Sequence, residues 1–511
     1  MRRWLPRPVL FVAALLAVTV ALLPLAYLAV RTADAGTDRI SQILFTERVA
    51  RLALRSLGLA TVVTAACLVL GIGSAFLVTR TDLPGRRIFG VLAALPLAIP
   101  TYVAGFAWVS QLPGFEGFWA AALVLILASY PYVYLPVAAA LVAADPAQEE
   151  VAQSMGRGPW RTFAGVTLRQ IRPAAAGGGL LVALYVLSDF GAVAVLRTDT
   201  LTRAVFVSLE LGFDRIGAVV LAGLLVAMTI PILAGEAATR RRGVRYARLT
   251  GVRRPAARIL LRRWRMPALL VLTAVAAAAL GVTTVSLARR LAAGVSRPGA
   301  WSEVAAAAGA SISLSLAGVA LTMLLALPIG LLTARAPGPA ATLVDRLGYL
   351  THALPGVVVG LSLVFFGINV AYPLYQTTWL LALGYAALFL PLAVAAVNGA
   401  AVAAPPVLDD VARSLGRGPL TVARTVTLPL MLPGIGAGAA LVFLTCMKEL
   451  PATLLLRPTG VDTLATELWT HTTVAAYAAA APYAALLVVV SAVPTWLLVV
   501  GTGVLAKEGA R

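Results

Sequence analysis

Twelve apolar stretches follow one another along this chain, each close to the roughly 20 residues that a helix needs to cross a bilayer. They fall at about 9–30, 56–79, 88–109, 118–140, 174–196, 216–235, 268–286, 305–333, 347–368, 379–402, 434–456 and 482–506. Lipid offers the backbone no hydrogen bonds, so a spanning segment must pair its own amides and carbonyls, as a helix or in a closed barrel. Alternation of polar and apolar residues at period two is absent, which argues against the barrel. The expected fold is all-α and polytopic, with about twelve transmembrane helices. Composition agrees. Hydrophobic residues make up 60% of the chain and charged ones 12%, against about 25% charged in a soluble domain. An ordinary soluble enzyme and a disordered chain are thereby excluded.

The net charge of +20 has two readings, nucleic-acid binding and topology. Topology explains it more simply, because loops that stay in the cytoplasm collect Lys and Arg. With the N-terminus inside, the cytoplasmic segments hold 28 Lys and Arg and the opposite side 12, while Lys448 lies within a span. Both termini are therefore expected in the cytoplasm. Met1-Arg2-Arg3 and Ala33-Asp34-Ala35 resemble parts of a signal peptide, but the first apolar run, about 22 residues, exceeds the usual 7–15 and reads as a retained span. Cys67 and Cys446 both sit in apolar runs, which excludes a disulfide framework and a Cys-based metal site.

The chain repeats itself at an offset near 260. Glu150-Val151-Ala152-Gln153-Ser154-Met155-Gly156-Arg157-Gly158-Pro159 matches Asp410-Val411-Ala412-Arg413-Ser414-Leu415-Gly416-Arg417-Gly418-Pro419. Val166-Thr167-Leu168 matches Val426-Thr427-Leu428, and Pro131, Pro146 and Pro173 match Pro391, Pro406 and Pro433. Leu95-Pro96 pairs with Leu354-Pro355 at 259, and Ser56 with Ser313 at 257. Residues 1–235 and 268–511 then form two six-helix parallel repeats, related by an axis along the membrane normal. The linker 236–267 carries eleven Arg and reads as a cytoplasmic tether touching lipid head groups.

The matched blocks lie in cytoplasmic loops, 145–172 and 405–432, between the fourth and fifth spans of each repeat. Each loop reads as two short helices around a glycine break. Asp145 can cap a helix that Pro146 starts, Gly156 suits the left-handed residue that ends it, and Pro159 opens a second helix running towards Arg172-Pro173. Pro406, Gly416 and Pro419 repeat the pattern, with Asp409 and Asp410 in the first turn, where an acid favours the helix dipole.

These loops resemble the cytoplasmic signature of the membrane permeases of binding-protein-dependent ABC importers. That signature begins Glu-Ala-Ala, has Gly six residues after the Glu, and, after nine more residues, shows Ile-x-Leu-Pro. Asp410-Val411-Ala412, Gly416 and Val426-Thr427-Leu428-Pro429 follow it. So do Glu150-Val151-Ala152, Gly156 and Val166-Thr167-Leu168, with Arg169 where Pro is expected, which leaves the end of that helix open. The resemblance covers essentially the whole chain. It implies that Glu150, Ala152, Gly156, Asp410, Ala412 and Gly416 belong to coupling helices that dock on a cytoplasmic ATPase, two copies per chain. It also implies an extracytoplasmic substrate-binding protein as partner, a bacterial inner-membrane location, and a translocation path for the delivered solute.

The chain has no G-x-x-x-x-G-K-[ST] phosphate loop, and no catalytic constellation stands out. It is expected to be no enzyme and to bind no cofactor, with ATP and magnesium on the partner ATPase, and no nucleic acid.

Lys448-Glu449-Leu450-Pro451-Ala452-Thr453-Leu454-Leu455-Leu456-Arg457-Pro458, followed by Asp462-Thr463-Leu464-Ala465-Thr466, resembles ferric-iron importers with two fused permease halves, as does Ser188-Asp189-Phe190-Gly191. Permeases for thiamine, polyamine, sulfate or phosphonate are alternatives, and a gradient-driven secondary transporter is a more distant one. Asp189 and Glu449 are the only acids well inside expected spans. A buried charge in lipid is expensive, so they should face the interior. They either line the outer part of a path for a cation, or bond to backbone freed near Gly191 and Pro451, or pair with Lys448. His352 and His471 read as structural rather than as metal ligands, so no metal site is expected. Trp108, Trp119, Trp379 and Trp496 read as interface anchors. Loops 197–215 and 457–480 would meet the binding protein.

Overall fold

A computed structural model describes residues 7–144, 146–210, 214–246, 258–294 and 300–501. Among these residues the regular structure is helical throughout, apart from one isolated parallel β-bridge between Thr81 and Ile259. Eight helices are long and apolar enough to cross a membrane: Glu47–Arg80, Phe118–Ala143, Phe163–Ser188, Arg215–Glu236, Arg262–Ala292, Trp301–Arg335, Thr378–Ala403 and Arg424–Lys448. Three bent pairs qualify together, namely Pro8–Ala21 with Leu23–Asp34, Arg86–Ala98 with Thr101–Gln111, and Pro339–Ala353 with Gly356–Asn369. A shorter apolar helix, Tyr477–Ala492, falls in the last expected span. Each of the twelve expected segments coincides with one of these elements.

Two spans depart from straight helices for a proline reason. The second pair turns by 95° and the third by 100°. Pro100 (φ −58°, ψ 144°) and Pro355 (φ −63°, ψ 146°) stand at the turns in extended backbone. Ile99 (ψ 116°) and Leu354 (ψ 114°) before them are extended too, the conformation a following proline favours. The equivalent prolines are thus 100 and 355, and the pairing of Leu95-Pro96 with Leu354-Pro355 is not the structural one. Ser56 likewise pairs with Ser311, not Ser313. Ser56 Oγ accepts the Leu201 amide (3.0 Å) and Ser311 Oγ the Leu464 amide (2.8 Å). The early part of the repeat runs at an offset of 255, and indels hide this from simple matching.

Contacts divide the chain into two compact units that do not follow the repeats. One unit comprises Met1–Thr46, Ala204–Ala227 and Arg297–Leu468. In it the N-terminal helices Arg7–Ala21 and Leu23–Asp34 pack on Ala300–Arg335 and Gly356–Asn369. Tyr27 donates to the Phe365 carbonyl (3.2 Å) and meets the Phe366 ring edge-on. The other unit comprises Glu47–Arg203, Met228–Ser296 and Trp469–Arg511. In it Val282–Ala292 packs on Thr101–Gln111 and Tyr477–Gly501, with Ser110 and Ser286 hydroxyls bonded at 2.7 Å. Small residues bring helices together within a unit. Gly178 lies where a Cβ would stand 2.8 Å from the Tyr132 carbonyl oxygen and 2.9 Å from Val133 Cα.

Residues 247–257 of the Arg-rich linker lie outside the described residues, and its first part continues the helix Arg215–Tyr246. Its end is anchored beside the long helix, where Ile259 donates to the Arg80 carbonyl (2.9 Å), the Asp82 amide donates to Ile259 (3.2 Å), and Asp82 Oδ1 accepts the Leu261 amide (2.9 Å).

Candidate functional site

The two repeated loops build the same object. Pro146–Ser154 and Pro406–Ser414 are nine-residue helices. Each ends at a glycine in the left-handed region, Gly156 (φ 81°) and Gly416 (φ 79°). The Gly156 amide bonds to the Gln153 carbonyl and Arg157 to Ala152, and Gly416 bonds to Arg413 and Arg417 to Ala412. This glycine-terminated double bond satisfies the last carbonyls of a helix and turns the chain. Ala152 and Ala412 therefore supply the acceptors of the outer bond, and Ala152 is also buried. Asp145, the expected cap, lies outside the described residues.

Beyond the glycine each chain enters a four-residue helix, Pro159–Thr162 or Pro419–Val422, and then a π turn, Phe163–Thr167 or Ala423–Thr427. The π turns lead without interruption into the spans Leu168–Ser188 and Leu428–Lys448. The second helix thus does not end at Arg172-Pro173, because Pro173 and Pro433 both lie inside these helices. The chain continues at the same position in both copies, so Arg169 in place of proline changes nothing in the path.

Glu150 and Asp410 are exposed. Beside them the helices show an apolar face to solvent: Val151 (56% exposed) and Met155 (65%) in one loop, and Val407 (66%), Val411 (50%) and Leu415 (76%) in the other. The residue before each motif acid turns inward. Glu149 Oε1 meets Arg80 Nη2 at 3.1 Å and accepts Thr167 Oγ1 at 2.9 Å. Asp409 Oδ2 meets Arg335 Nη1 at 3.6 Å, and its Oδ1 accepts Thr427 Oγ1 at 2.7 Å. The motif does not single these residues out. They could have been found from the repeat, since both the acid and the Thr recur at an offset of 260.

The acids of the spans sit at the proline kinks. Asp189 follows Leu168–Ser188 and caps the short helix Gly191–Val195: its Oδ1 accepts the amides of Ala192 (2.9 Å) and Val193 (3.4 Å). Its Oδ2 accepts Thr101 Oγ1 at 2.5 Å, from the first residue after the Pro100 kink. Glu449 does the same for Pro451–Leu456, with Oε1 accepting the Ala452 amide at 3.0 Å. The residue after its kink is Gly356, where a Cβ would collide with Glu449 Oε1. One unit joins a short acid to a threonine, and the other a longer acid to the space of a glycine. The second sequence alternative, bonding to freed backbone, therefore describes one oxygen of each carboxylate.

His352 stacks on Tyr349 and His471 on Tyr483. Among the described residues no three His, Cys, Asp or Glu side chains gather as a metal site would require. After Pro451–Leu456, Arg457 pairs with Asp462 and donates to the Val461 carbonyl and Thr466 Oγ1 (both 3.3 Å), which closes that loop on itself. Burial lowers the guanidinium's pKa, and Glu467 opposes the shift.

A family model, binding-protein-dependent transport system inner membrane component, matches residues 67–241 and again 326–500. The chain belongs to this permease family. Among its relatives, the Fe(3+)-transport system permease protein FbpB 2 of Haemophilus influenzae is 38% identical over 93% of this chain and 95% of its own length. The sulfate transport system permease proteins CysT and CysW of Escherichia coli are 31% and 28% identical, over 32% and 41% of this chain and 67% and 79% of theirs. In this permease both family matches enclose one of the repeated loops and the acid-capped short helix that follows it. It is therefore a multi-pass inner-membrane transport subunit that works with an ATPase and a substrate-binding protein.

Proposed function

We infer that this permease carries ferric iron inward, from an extracytoplasmic binding protein and at the expense of ATP hydrolysed by two copies of a separate cytoplasmic subunit. The observation that carries the reading is the doubled docking loop, two helices of one geometry with exposed acidic and apolar surface. The solute rests on the relative named for Fe(3+) transport, which spans both repeats, whereas the sulfate permeases match less than half of the chain. Both termini are cytoplasmic, on the distribution of Lys and Arg, and the chain holds no cofactor, ATP and magnesium residing on the ATPase. Repeats 1–235 and 268–511, joined by linker 236–267, act as the two arms that other importers build from separate chains.

Closure of the ATPase dimer on ATP draws the loops 145–172 and 405–432 together, and the spans open towards the loaded binding protein. Hydrolysis returns them inward-facing. Glu150, Ala152, Gly156, Asp410, Ala412 and Gly416 shape the docking helices, and Asp189 and Glu449 border the path at the kinks with the carboxylate oxygen not used in capping. Purification from detergent with the co-expressed ATPase, followed by reconstitution and uptake of radiolabelled ferric iron from the binding protein, tests the reading. ATP-dependent iron uptake is expected. Uptake of sulfate and none of iron would move the assignment to an anion, and iron uptake driven by an ion gradient without ATPase would refute the docking role.

A further inference from the structure

Arg80 and Arg335 are the last residues of the long helices Glu47–Arg80 and Ala300–Arg335. At 34 and 36 residues these helices are roughly 50 Å long, well beyond a hydrocarbon core of about 30 Å. Their ends therefore reach the level of the docking loops. There each arginine meets the inward acid of its own unit, Glu149 or Asp409, and that acid is also bonded to the threonine closing the π turn, Thr167 or Thr427. The four charged side chains are between 5% and 16% exposed. Each acid thus joins three elements: the docking helix that bears it, the π turn that starts the fifth span, and the end of the long helix. Arg335 Nη2 also donates to the Ala404 carbonyl at the end of Thr378–Ala403 (2.9 Å).

One detail recurs in both units. Arg80 Nε and Arg335 Nε are buried without a hydrogen-bond partner. A guanidinium and a carboxylate bind best as two forks, with two parallel bonds. Here each pair is held through an Nη atom alone, so each is short of that geometry. A small shift of the docking helix along the arginine would engage Nε as well, while a shift away would leave a buried charge unpaired, which is strongly unfavourable.

We propose that Arg80–Glu149–Thr167 and Arg335–Asp409–Thr427 are positioning clusters that convert displacement of each docking helix into displacement of the long helix, by exchanging the single contact seen here for a forked one. The inference rests on the docking helices' engagement of an ATPase. Apolar packing alone would let the docking helix slide over the span end. A buried charge pair moves the two together, and the repeated unfilled Nε gives both units a second geometry to move into.

The test uses the permease–ATPase complex in proteoliposomes with the iron-loaded binding protein. Arg80→Gln and Arg335→Gln, and the swaps Arg80→Glu/Glu149→Arg and Arg335→Asp/Asp409→Arg, are compared for retained ATPase, stimulated hydrolysis and iron moved per ATP. The Gln variants should retain the ATPase yet lose at least fivefold in stimulation, and the swaps should recover a large part of it. Stimulation at the wild-type rate in both Gln variants overturns the proposal, as does a folded swap that stays uncoupled. Should the Gln variants not fold, Thr167→Val and Thr427→Val keep the ion pairs and should lower iron moved per ATP; unchanged coupling in both overturns it. A wild-type chain that retains no ATPase would sink the docking reading instead.

Discussion

Replacing Asp189 by Asn and by Ala separates two jobs that one carboxylate could do. The side chain is 7% exposed and accepts Ala192, Val193 and Thr101. Asn keeps an oxygen for the two amides and turns a donor towards Thr101, whose hydroxyl can accept. Ala removes every partner. Loss of a helix cap costs about 1 kcal/mol, and stranding the buried Thr101 hydroxyl costs about 1–3 kcal/mol more. Asp189→Ala should therefore lose about 2–4 kcal/mol and Asp189→Asn less than about 1 kcal/mol. Thermal unfolding of the purified permease in detergent, followed by a probe of tertiary structure, measures the first quantity. Iron uptake in proteoliposomes measures the second. If the negative charge borders the path, Asn keeps the melting temperature and loses most of the uptake. If capping is its whole role, Asn keeps both. An Ala variant that melts with the wild type would refute the capping energetics worked out here, because no remaining group can replace those three bonds.

The equivalent kink of the other unit gives a complementary expectation. Gly356→Ala drives a Cβ into Glu449 Oε1 and to within 2.9 Å of Pro451 Cγ, so it should lower stability by about 1–3 kcal/mol as overpacking does; adding Glu449→Asp should recover part of the melting temperature. Gly416→Pro cannot adopt φ 79° and loses the amide bond to Arg413. It should leave the melting of the bundle unchanged while abolishing stimulation of hydrolysis by the binding protein, and stimulation at the wild-type rate would show that loop geometry is not what couples them. Val411→Asp with Leu415→Asp places charge on the exposed apolar face, and the expected result is a permease that purifies without its ATPase.

Membrane class and the docking loops were legible in the sequence because their causes are local. A run of apolar residues must be helical in lipid, and a Pro–Gly–Pro pattern spaced over 13 residues, as from Pro146 to Pro159, sets a short helix, a left-handed stop and a new start. The kinks were less legible. Pro100 and Pro355 were visible, but Pro131, Pro173 and Pro433 also fall in apolar runs and sit within or at the start of unbroken helices. Which proline breaks a span depends on what packs at the turn, and after Pro100 and Pro355 this is an acid from a distant part of the chain, Asp189 at Thr101 and Glu449 at Gly356. The motif names the residue after Glu149 and Asp409, and the sequence reads Asp409 only as a first-turn acid beside Asp410; contact with Arg80 and Arg335 is what distinguishes the inward acid from its exposed neighbour. The composition of the compact units left no local trace at all, since a helix buries the same kind of apolar face whichever partner it meets.

That composition sets an order of events during synthesis. Met1–Thr46 belongs to a unit whose largest segment begins at Arg297. Its helices leave the ribosome roughly 250 residues before that segment exists. They can wait because a helix in lipid needs no partner for its backbone. A nascent chain halted anywhere in the first repeat is thus inserted but unfinished, with its opening helices still unclaimed, and translation must run deep into the second repeat before either unit can close.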